Sequence, residues 1–326
     1  MSVKVGIIGV GMAVPRKIVT NADLEKMVDT SDEWITTRTG IRQRRIVEKG
    51  QVTSDLAAEA AKKALKEAKL KAHDIELLII GTITPDRQMP STACIVQEKL
   101  GAKKAICFDI SAACAGFIFA LSIAKAFIES GAYKNALVVG AEVLSSVVDW
   151  KDRSTCVLFG DGAGAAVVAP VRRGGILSTY LSCDGTKAAF LEIPAGGCKL
   201  PASTFTIEGK LHCIKMRGSE VFKIAVRAMI EACEKALSLS KLKTGDVDFL
   251  IPHQANLRII DAMVKRLGIP KEKVVINLDR YGNMSSATTP VALCESIKAG
   301  KIKKGDIILM VAFGAGLVWG ACVIRW

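Results

Sequence analysis

What this sequence lacks narrows its chemistry first. It has three histidines in 326 residues, too few for a histidine-based metal cluster. Its ten cysteines stand at 94, 107, 114, 156, 183, 198, 213, 233, 294 and 322, and none forms a C-x-x-C pair. Zinc sites use such spacings, and the scattered cysteines, several of them in apolar runs, do not read as a disulfide framework. No metal site is therefore expected, and the thiols are expected reduced, as in a cytoplasmic protein. No uninterrupted apolar run approaches the ~18 residues that span a bilayer. The opening stretch carries Lys4 within its apolar residues. That is not the layout of a signal peptide, and Val3–Val10 reads as a first buried strand. No low-complexity tract is present. Nor is there a helix-turn-helix, zinc-finger or RNA-binding signature. Neither nucleic acid nor a membrane is expected as a partner.

What is there is a 34.8 kDa chain, 50% hydrophobic and 24% charged. That is a soluble globular balance, with length enough for one large or two ordinary domains. The net charge is +13. A basic surplus suits an acidic partner, such as an acidic protein or a phosphorylated ligand, although a lysine-rich surface can also be mere solvation. Strand and helix signals alternate, which predicts an α/β fold. Leu56–Leu70 and Thr92–Leu100 read as helices, and Ile75–Ile80 and Ala136–Gly140 as strands. Gly160–Ala165 reads as a glycine-rich turn before another strand.

The order then repeats. Ala60–Ile79 lies over Ala232–Ile251 without a gap, and Ala60, Lys63, Ala64, Leu65, Lys69, Leu70, Lys71, Asp74, Leu78 and Ile79 recur 172 positions later. Ile106–Asp109 is matched by Ile276–Asp279 at a shift of 170. Near-constant shifts predict an internal duplication with halves 1–172 and 173–326, the boundary falling near Val171–Gly175. In such a fold the equivalent strand-to-helix turns converge, and ligands bind at these strand ends. The turn around Cys114 should face Tyr281–Ala287.

Cys114 lies where the apolar run Ala105–Phe108 gives way to a helical pattern from Phe117 to about Ile128. Free N–H groups and the dipole at a helix start favour a thiolate, so a lowered thiol pKa is expected. Otherwise the residue is a small buried hydrophobe. His253 ends the strand Val247–Pro252 and opens a predicted helix Gln254–Leu267. There it can trade hydrogen bonds with a ligand, or simply pack. Asn283 sits in a turn, as asparagine often does, and its amide can also serve an oxyanion. Ala312–Gly320 is rich in glycine, suited to presenting backbone N–H groups or to a close-packed bend. Gly6–Ala13 lacks the third glycine and the acidic residue of a dinucleotide loop.

Eight motifs in order then mark a resemblance. They are Asp29-Thr-Ser-Asp-Glu-Trp-Ile35, Arg38-Thr-Gly-Ile41, Ser111-Ala-Ala-Cys-Ala-Gly-Phe117, Asp152-Arg-Ser-Thr-Cys-Val-Leu-Phe-Gly-Asp-Gly-Ala-Gly-Ala165, Met216-Arg-Gly-Ser-Glu-Val-Phe222, Pro252-His-Gln-Ala-Asn-Leu-Arg258, Tyr281-Gly-Asn-Met-Ser-Ser286 and Phe313-Gly-Ala-Gly-Leu-Val-Trp-Gly320. Over essentially its whole length the chain resembles the β-ketoacyl-[acyl-carrier-protein] synthase III family, which initiates bacterial fatty acid synthesis. The resemblance implies a thiolase-like fold, internally duplicated, in five αβαβα layers. It also implies a homodimer, to which the apolar helix around Thr92–Leu100 is suited to contribute. It implies acyltransferase activity. An acyl-CoA primer, most simply acetyl-CoA, acylates a cysteine, and malonyl-acyl-carrier-protein then condenses with it and loses CO2. No cofactor is implied.

By resemblance, Cys114, His253 and Asn283 are the catalytic triad, and the backbone N–H groups of Cys114 and Ala315 form the oxyanion hole. Trp34, Arg38, Arg153 and Asn256 match CoA contacts. Lys223, Gln254, Ala255, Asn256, Leu257, Arg258, Lys265 and Arg266 match a carrier-protein surface. Met89, Leu144, Phe159, Met216 and Phe313 match the acyl pocket, with Met89 often serving the neighbouring subunit. Arg258 and Lys265, seven apart on a helix, share a face. Val318 and Ser154 depart from the usual Thr and Gly, and neither position supplies a reacting group. Two other readings stand beside this one. One is a thiolase-fold acyltransferase of polyketide or quinolone synthesis with a different primer. The other is a non-catalytic carrier-binding scaffold.

Overall fold

The computed structural model describes residues 3–326. Its frame is two mixed sheets. The first runs Val5–Ala13, Asp161–Pro170, Ala136–Val143, Leu77–Gly81 and Ile106–Ile110, in that spatial order. The second runs Gly175–Cys183, Val318–Arg325, Ile307–Gly314 and Phe249–Pro252. Read from these ends, both sheets begin with two antiparallel pairings and continue with a parallel one. The first sheet adds a fifth strand, again parallel. In the second, among the described residues, only an isolated bridge from Val274 to Leu250 stands in the fifth place.

Local features repeat as well. Lys69 at the end of Thr53–Ala68 and Lys241 just past the end of Gly218–Leu239 are both left-handed, at φ 56° and 57°. The Asp74 carboxylate accepts from the backbone N–H of Lys71, and that of Asp246 accepts from Lys243, in matching one-turn helices.

The helices Gly116–Glu129 and Thr288–Lys298 lie between the sheets and touch both. The first is apolar nearly all round, as a doubly covered helix must be. Phe117, Ile118, Leu121 and Ile128 are buried in it, each worth ~1.5–3 kcal/mol of transfer free energy. Thr53–Ala68 and Thr92–Leu100 cover the outer face of the first sheet, and Gly218–Leu239 that of the second, with Leu257–Leu267 packed against Gly218–Leu239. The result is the five-layer α/β arrangement. Thr53–Ala68 turns Ala57, Ala60, Ala61 and Ala64 inward. It sits so close to the first strand that a Cβ at Gly11 would overlap the Ala60 carbonyl. Among the described residues no helix is long and apolar enough to cross a membrane.

Some boundaries differ from the sequence reading. Gly160–Ala165 is not mainly a turn, because Asp161–Pro170 is a strand throughout. Its glycines serve packing. A Cβ at Gly164 would lie 2.6 Å from the ring of Pro290. The predicted helix Gln254–Leu267 starts at Leu257, because Asn256 caps it by accepting from the N–H of Arg258 at 2.9 Å. His253 is thereby left on a short linker outside the helix.

Candidate active site

Two turns carry the reactive side chains. Ala113–Ala115, with Cys114 at its centre, follows the strand Ile106–Ile110 and leads into Gly116–Glu129. Ser285–Ala287 follows Asn283 and leads into Thr288–Lys298. The turns are 172 positions apart and share an unusual backbone, with Ala113 at φ 41° and Ser285 at φ 46°. Left-handed angles at non-glycine residues cost free energy and recur where a site needs a particular geometry. The turns pack on one another, with the Cβ position of Gly116 lying 3.3 Å from Ser286. That is tighter than an ordinary Cβ contact.

The hairpin Ile307–Gly314/Val318–Arg325 brings Ala315 to the same place. A Cβ at Gly314 would lie 2.5 Å from the Cys114 nitrogen. Only glycine lets these main chains meet unaltered.

Cys114, His253, Asn283, Ser285, Phe313 and Ala315 line one cavity of about 850 Å³. It runs from exposed Arg38, Lys223 and Arg258 to these mostly buried groups. The rest of its wall is mainly apolar. Leu144, Phe159 and Met216 contribute as expected.

The electrostatics correct one expectation. The Cys114 thiol is not lowered. Burial pushes it up to about 12, so the resting sulfur is a thiol at neutral pH. The helix start gives less help than its position suggests, because the N–H groups of Ala115 and Gly116 are spent on the carbonyls of Ala112 and Ala113. His253 donates its backbone N–H to Val311 at 2.7 Å, and its Nδ1 lies 2.7 Å from Thr288 Oγ1. Burial lowers its pKa to about 3, which keeps the imidazole neutral. Asn283 is held on both sides of its peptide. Its N–H donates to Leu158 at 2.8 Å, and its carbonyl accepts from Gly160 at 3.0 Å. Its Oδ1 accepts from the N–H of Ser285 at 2.8 Å, which leaves the amide NH2 as the free donor.

Trp34, Arg38 and Asn256 line the same cavity. The guanidinium groups of Arg38 and Arg153 lie 5.1 and 5.2 Å from the Trp34 ring centre, within cation–π range. Arg153 also donates to the Asp29 carbonyl at 2.8 Å. Asn256 Nδ2 donates to the Arg38 carbonyl at 3.1 Å, tying the helix Asp32–Thr39 to the Leu257–Leu267 cap.

On the matched carrier surface, Lys223, Arg258, Lys265 and Arg266 are exposed, and Ala255 is half-buried on the cavity wall. Leu257 is half-buried, and its side chain packs on Gly40. Gln254 does not belong to that surface. It is fully buried, with Nε2 donating to the carbonyls of Pro252 and Val275 and Oε1 accepting from the N–H of Asn277. Those backbone groups need partners, and the glutamine side chain supplies them. Met89 is 83% exposed and does not line the cavity of its own chain.

Sequence reasoning missed Ser285, whose buried hydroxyl has no partner among the described residues, and Thr288, fully buried against His253. Two hydroxyls beside Asn283 were the available signal. It also missed the wall formed by Ile193, Ile214, Ala225 and Met229. Nothing in that stretch's pattern marks it. Among the described residues no group of three or more His, Cys, Asp or Glu is placed to hold a metal.

Known proteins supply the context. Residues 108–185 match the family described as 3-oxoacyl-[acyl-carrier-protein (ACP)] synthase III, and residues 237–326 match its C-terminal counterpart. A β-ketoacyl-[acyl-carrier-protein] synthase III from Caldanaerobacter subterraneus is 59% identical over 98% of this chain and 97% of its own. One from Clostridioides difficile is 56% identical over 100% and 99%. The crystal structure of 3-oxoacyl-[acyl-carrier-protein] synthase III from Aquifex aeolicus superposes with a TM-score of 0.92 at 51% identity, covering 99% of this chain and 100% of that one. The Thermus thermophilus enzyme gives 0.91 at 45% identity, covering 98% and 99%. On its sequence and its thiolase-like fold alike, the chain belongs to the β-ketoacyl-[acyl-carrier-protein] synthase III family.

Proposed function

We propose that this cavity joins a short acyl-CoA, acetyl-CoA in the simplest case, to malonyl-acyl-carrier-protein by decarboxylative Claisen condensation, the first step of fatty acid chain building. The observation that carries the proposal is the convergence of Cys114, His253 and Asn283 on one cavity. First, Cys114 sulfur bonds to the acyl carbonyl carbon and the bond to CoA sulfur breaks. The thiol proton ends on the departing CoA. The acyl oxygen is held by the N–H groups of Cys114 and Ala315. A thiolate is both nucleophile and leaving group, so one difficult step becomes two easier ones.

In the second step the malonyl group loses CO2, and the electron pair moves onto its thioester oxygen. Donors from His253 and Asn283 stabilise that enolate. At about 2.7–4 kcal/mol for one such donor, the pair is worth roughly 3–8 kcal/mol of barrier. The enolate carbon then attacks the acyl group, Cys114 leaves, and one proton is taken up from solvent. The steps call on side chains and main-chain N–H groups alone, with no cofactor.

We assign the CoA adenine to Trp34 and Arg153, the CoA phosphate region and pantetheine to Arg38 and Asn256, and the acidic carrier to Lys223, Arg258, Lys265 and Arg266. Basic groups around the cavity opening suit two substrates that both arrive on phosphopantetheine arms. We further propose that the halves 1–172 and 173–326 derive from one duplicated unit. The enzyme would act as a cytoplasmic homodimer in which the exposed Met89 reaches the neighbouring subunit's pocket.

The test is Cys114→Ser with acetyl-CoA and malonyl-carrier. Loss of 3-oxoacyl product is expected, and condensation near the wild-type rate would refute the acyl-cysteine route. Mass spectrometry of Cys114 after exposure to an acyl-CoA mixture would name the primer.

A further inference from the structure

We propose that Thr288 is a positioning residue. It donates its hydroxyl proton to His253 Nδ1 and so holds the ring as the tautomer with hydrogen on Nε2, presenting a donor to the cavity. The inference rests on the condensation reading above and adds to it what fixes the histidine's polarity. A neutral imidazole carries one hydrogen, and the partner of one nitrogen decides which nitrogen bears it.

Among the described residues Nδ1 faces a single partner, Thr288 Oγ1 at 2.7 Å, on a residue with no solvent exposure. The hydroxyl has one proton and two candidate acceptors. They are Nδ1 and, at 2.9 Å, the carbonyl of Ser285. That carbonyl already accepts the backbone N–H of Thr288. The buried groups are satisfied in either of two arrangements: the hydroxyl donates to Nδ1, or Nδ1–H donates to Oγ1 while the hydroxyl donates to the Ser285 carbonyl. The condensation reading selects the first, because only then does the ring hydrogen sit on Nε2, the nitrogen left for the cavity.

The opposite tautomer would turn a lone pair toward the developing enolate oxygen and repel it. Asn283 is polarised by the same turn, because the N–H of Ser285 occupies its Oδ1 and leaves the NH2 free. One segment, Asn283–Thr288, thus sets both donors of the site. Its left-handed Ser285 is the bend that lets it reach them.

The test combines spectroscopy and kinetics. The chain has only three histidines, so 15N-histidine labelling gives a readable spectrum. Long-range proton–nitrogen correlations on the substrate-free protein should show His253 as the Nε2–H form. Finding the Nδ1–H form would overturn the proposal whatever the enzyme's substrates are. Thr288→Val keeps the shape and removes the hydroxyl. Malonyl-carrier decarboxylation should fall ~10–100-fold, somewhat less than outright loss of a donor. Cys114 acylation by acetyl-CoA should stay within about twofold, because that half-reaction does not draw on the Nε2 donor. Thr288→Ser should restore decarboxylation. Unchanged decarboxylation in Thr288→Val, or equal loss of both half-reactions, would refute the assignment. If the wild-type protein fails to decarboxylate malonyl-carrier at all, the condensation reading falls, and the spectrum still decides the tautomer.

Discussion

Replacing Gly314 by alanine tests the site geometry most directly. The added Cβ would lie 2.5 Å from the Cys114 nitrogen and 3.0 Å from Ala113 Cβ. Ordinary Cβ contacts begin near 3.4 Å, so the two main chains must separate by 3.4 − 2.5 = 0.9 Å. Neither neighbour is a flexible side chain that could swing aside. Gly314 does not use a left-handed backbone, so strain at the residue itself does not confound the result. The shift would part the N–H groups of Cys114 and Ala315, the two donors assigned to the acyl oxygen.

A misplacement of ~1 Å costs ~10²-fold in a positioned reaction. Overpacking of this kind costs ~1–3 kcal/mol of stability. Cys114 acylation by acetyl-CoA, followed by mass spectrometry in single turnover, should therefore slow ~10²-fold. Denaturant unfolding should show the protein still folded, with a lower midpoint. Gly197→Ala is the control, since an added Cβ there meets nothing within 4 Å. Acylation of Gly314→Ala within twofold of wild type would show that the reaction does not depend on this main-chain contact.

Other outcomes follow from the same structure. His253→Ala and Asn283→Ala should each lower malonyl-carrier decarboxylation ~10²–10³-fold while Cys114 still accepts an acyl group, measured as the two half-reactions separately. Arg258→Glu should raise KM for malonyl-carrier, and raise it most at low salt, while KM for acyl-CoA changes little. Equal rises for both substrates would remove Arg258 from the docking surface. Acidification should destabilise the protein partly through His253. Its pKa is about 3 when folded and about 6.5 when unfolded. Between these values the unfolded chain binds the extra proton, so stability falls as pH falls through that window, by up to ~1.4 kcal/mol per pH unit. His253→Gln should flatten that slope in urea titrations between pH 6.5 and 4.

Much of the site was legible because its parts sit in local patterns. Cys114 lies between an apolar strand and a small-residue turn, His253 lies at a strand end, and Asn283 lies in a glycine–serine turn. Each is a short-range signal. The recurrence of ten residues at one spacing also pointed to two facing turns, and the left-handed Ala113 and Ser285 show how closely those turns correspond. Other features were not legible. Gln254 looked like a surface residue in a motif, yet the backbone of Asn277 and Val275 claims its amide. The glycines of Asp161–Pro170 looked like turn formers, yet they clear space for Pro290 and Met284. The thiol's pKa followed burial, which depends on neighbours far along the chain.

The sequence alone determined the α/β alternation, the duplicated spacing and which residue types could carry acyl chemistry. These depend on residues within one element of each other, where periodicity and turn preference act. Only the tertiary structure decided what each candidate meets: the neutral buried histidine, the protonated thiol, the Thr288 hydroxyl behind the ring and the apolar wall from residues 193–229. Desolvation and hydrogen-bond partnership are properties of an enclosed volume. That volume is closed by segments more than a hundred residues apart.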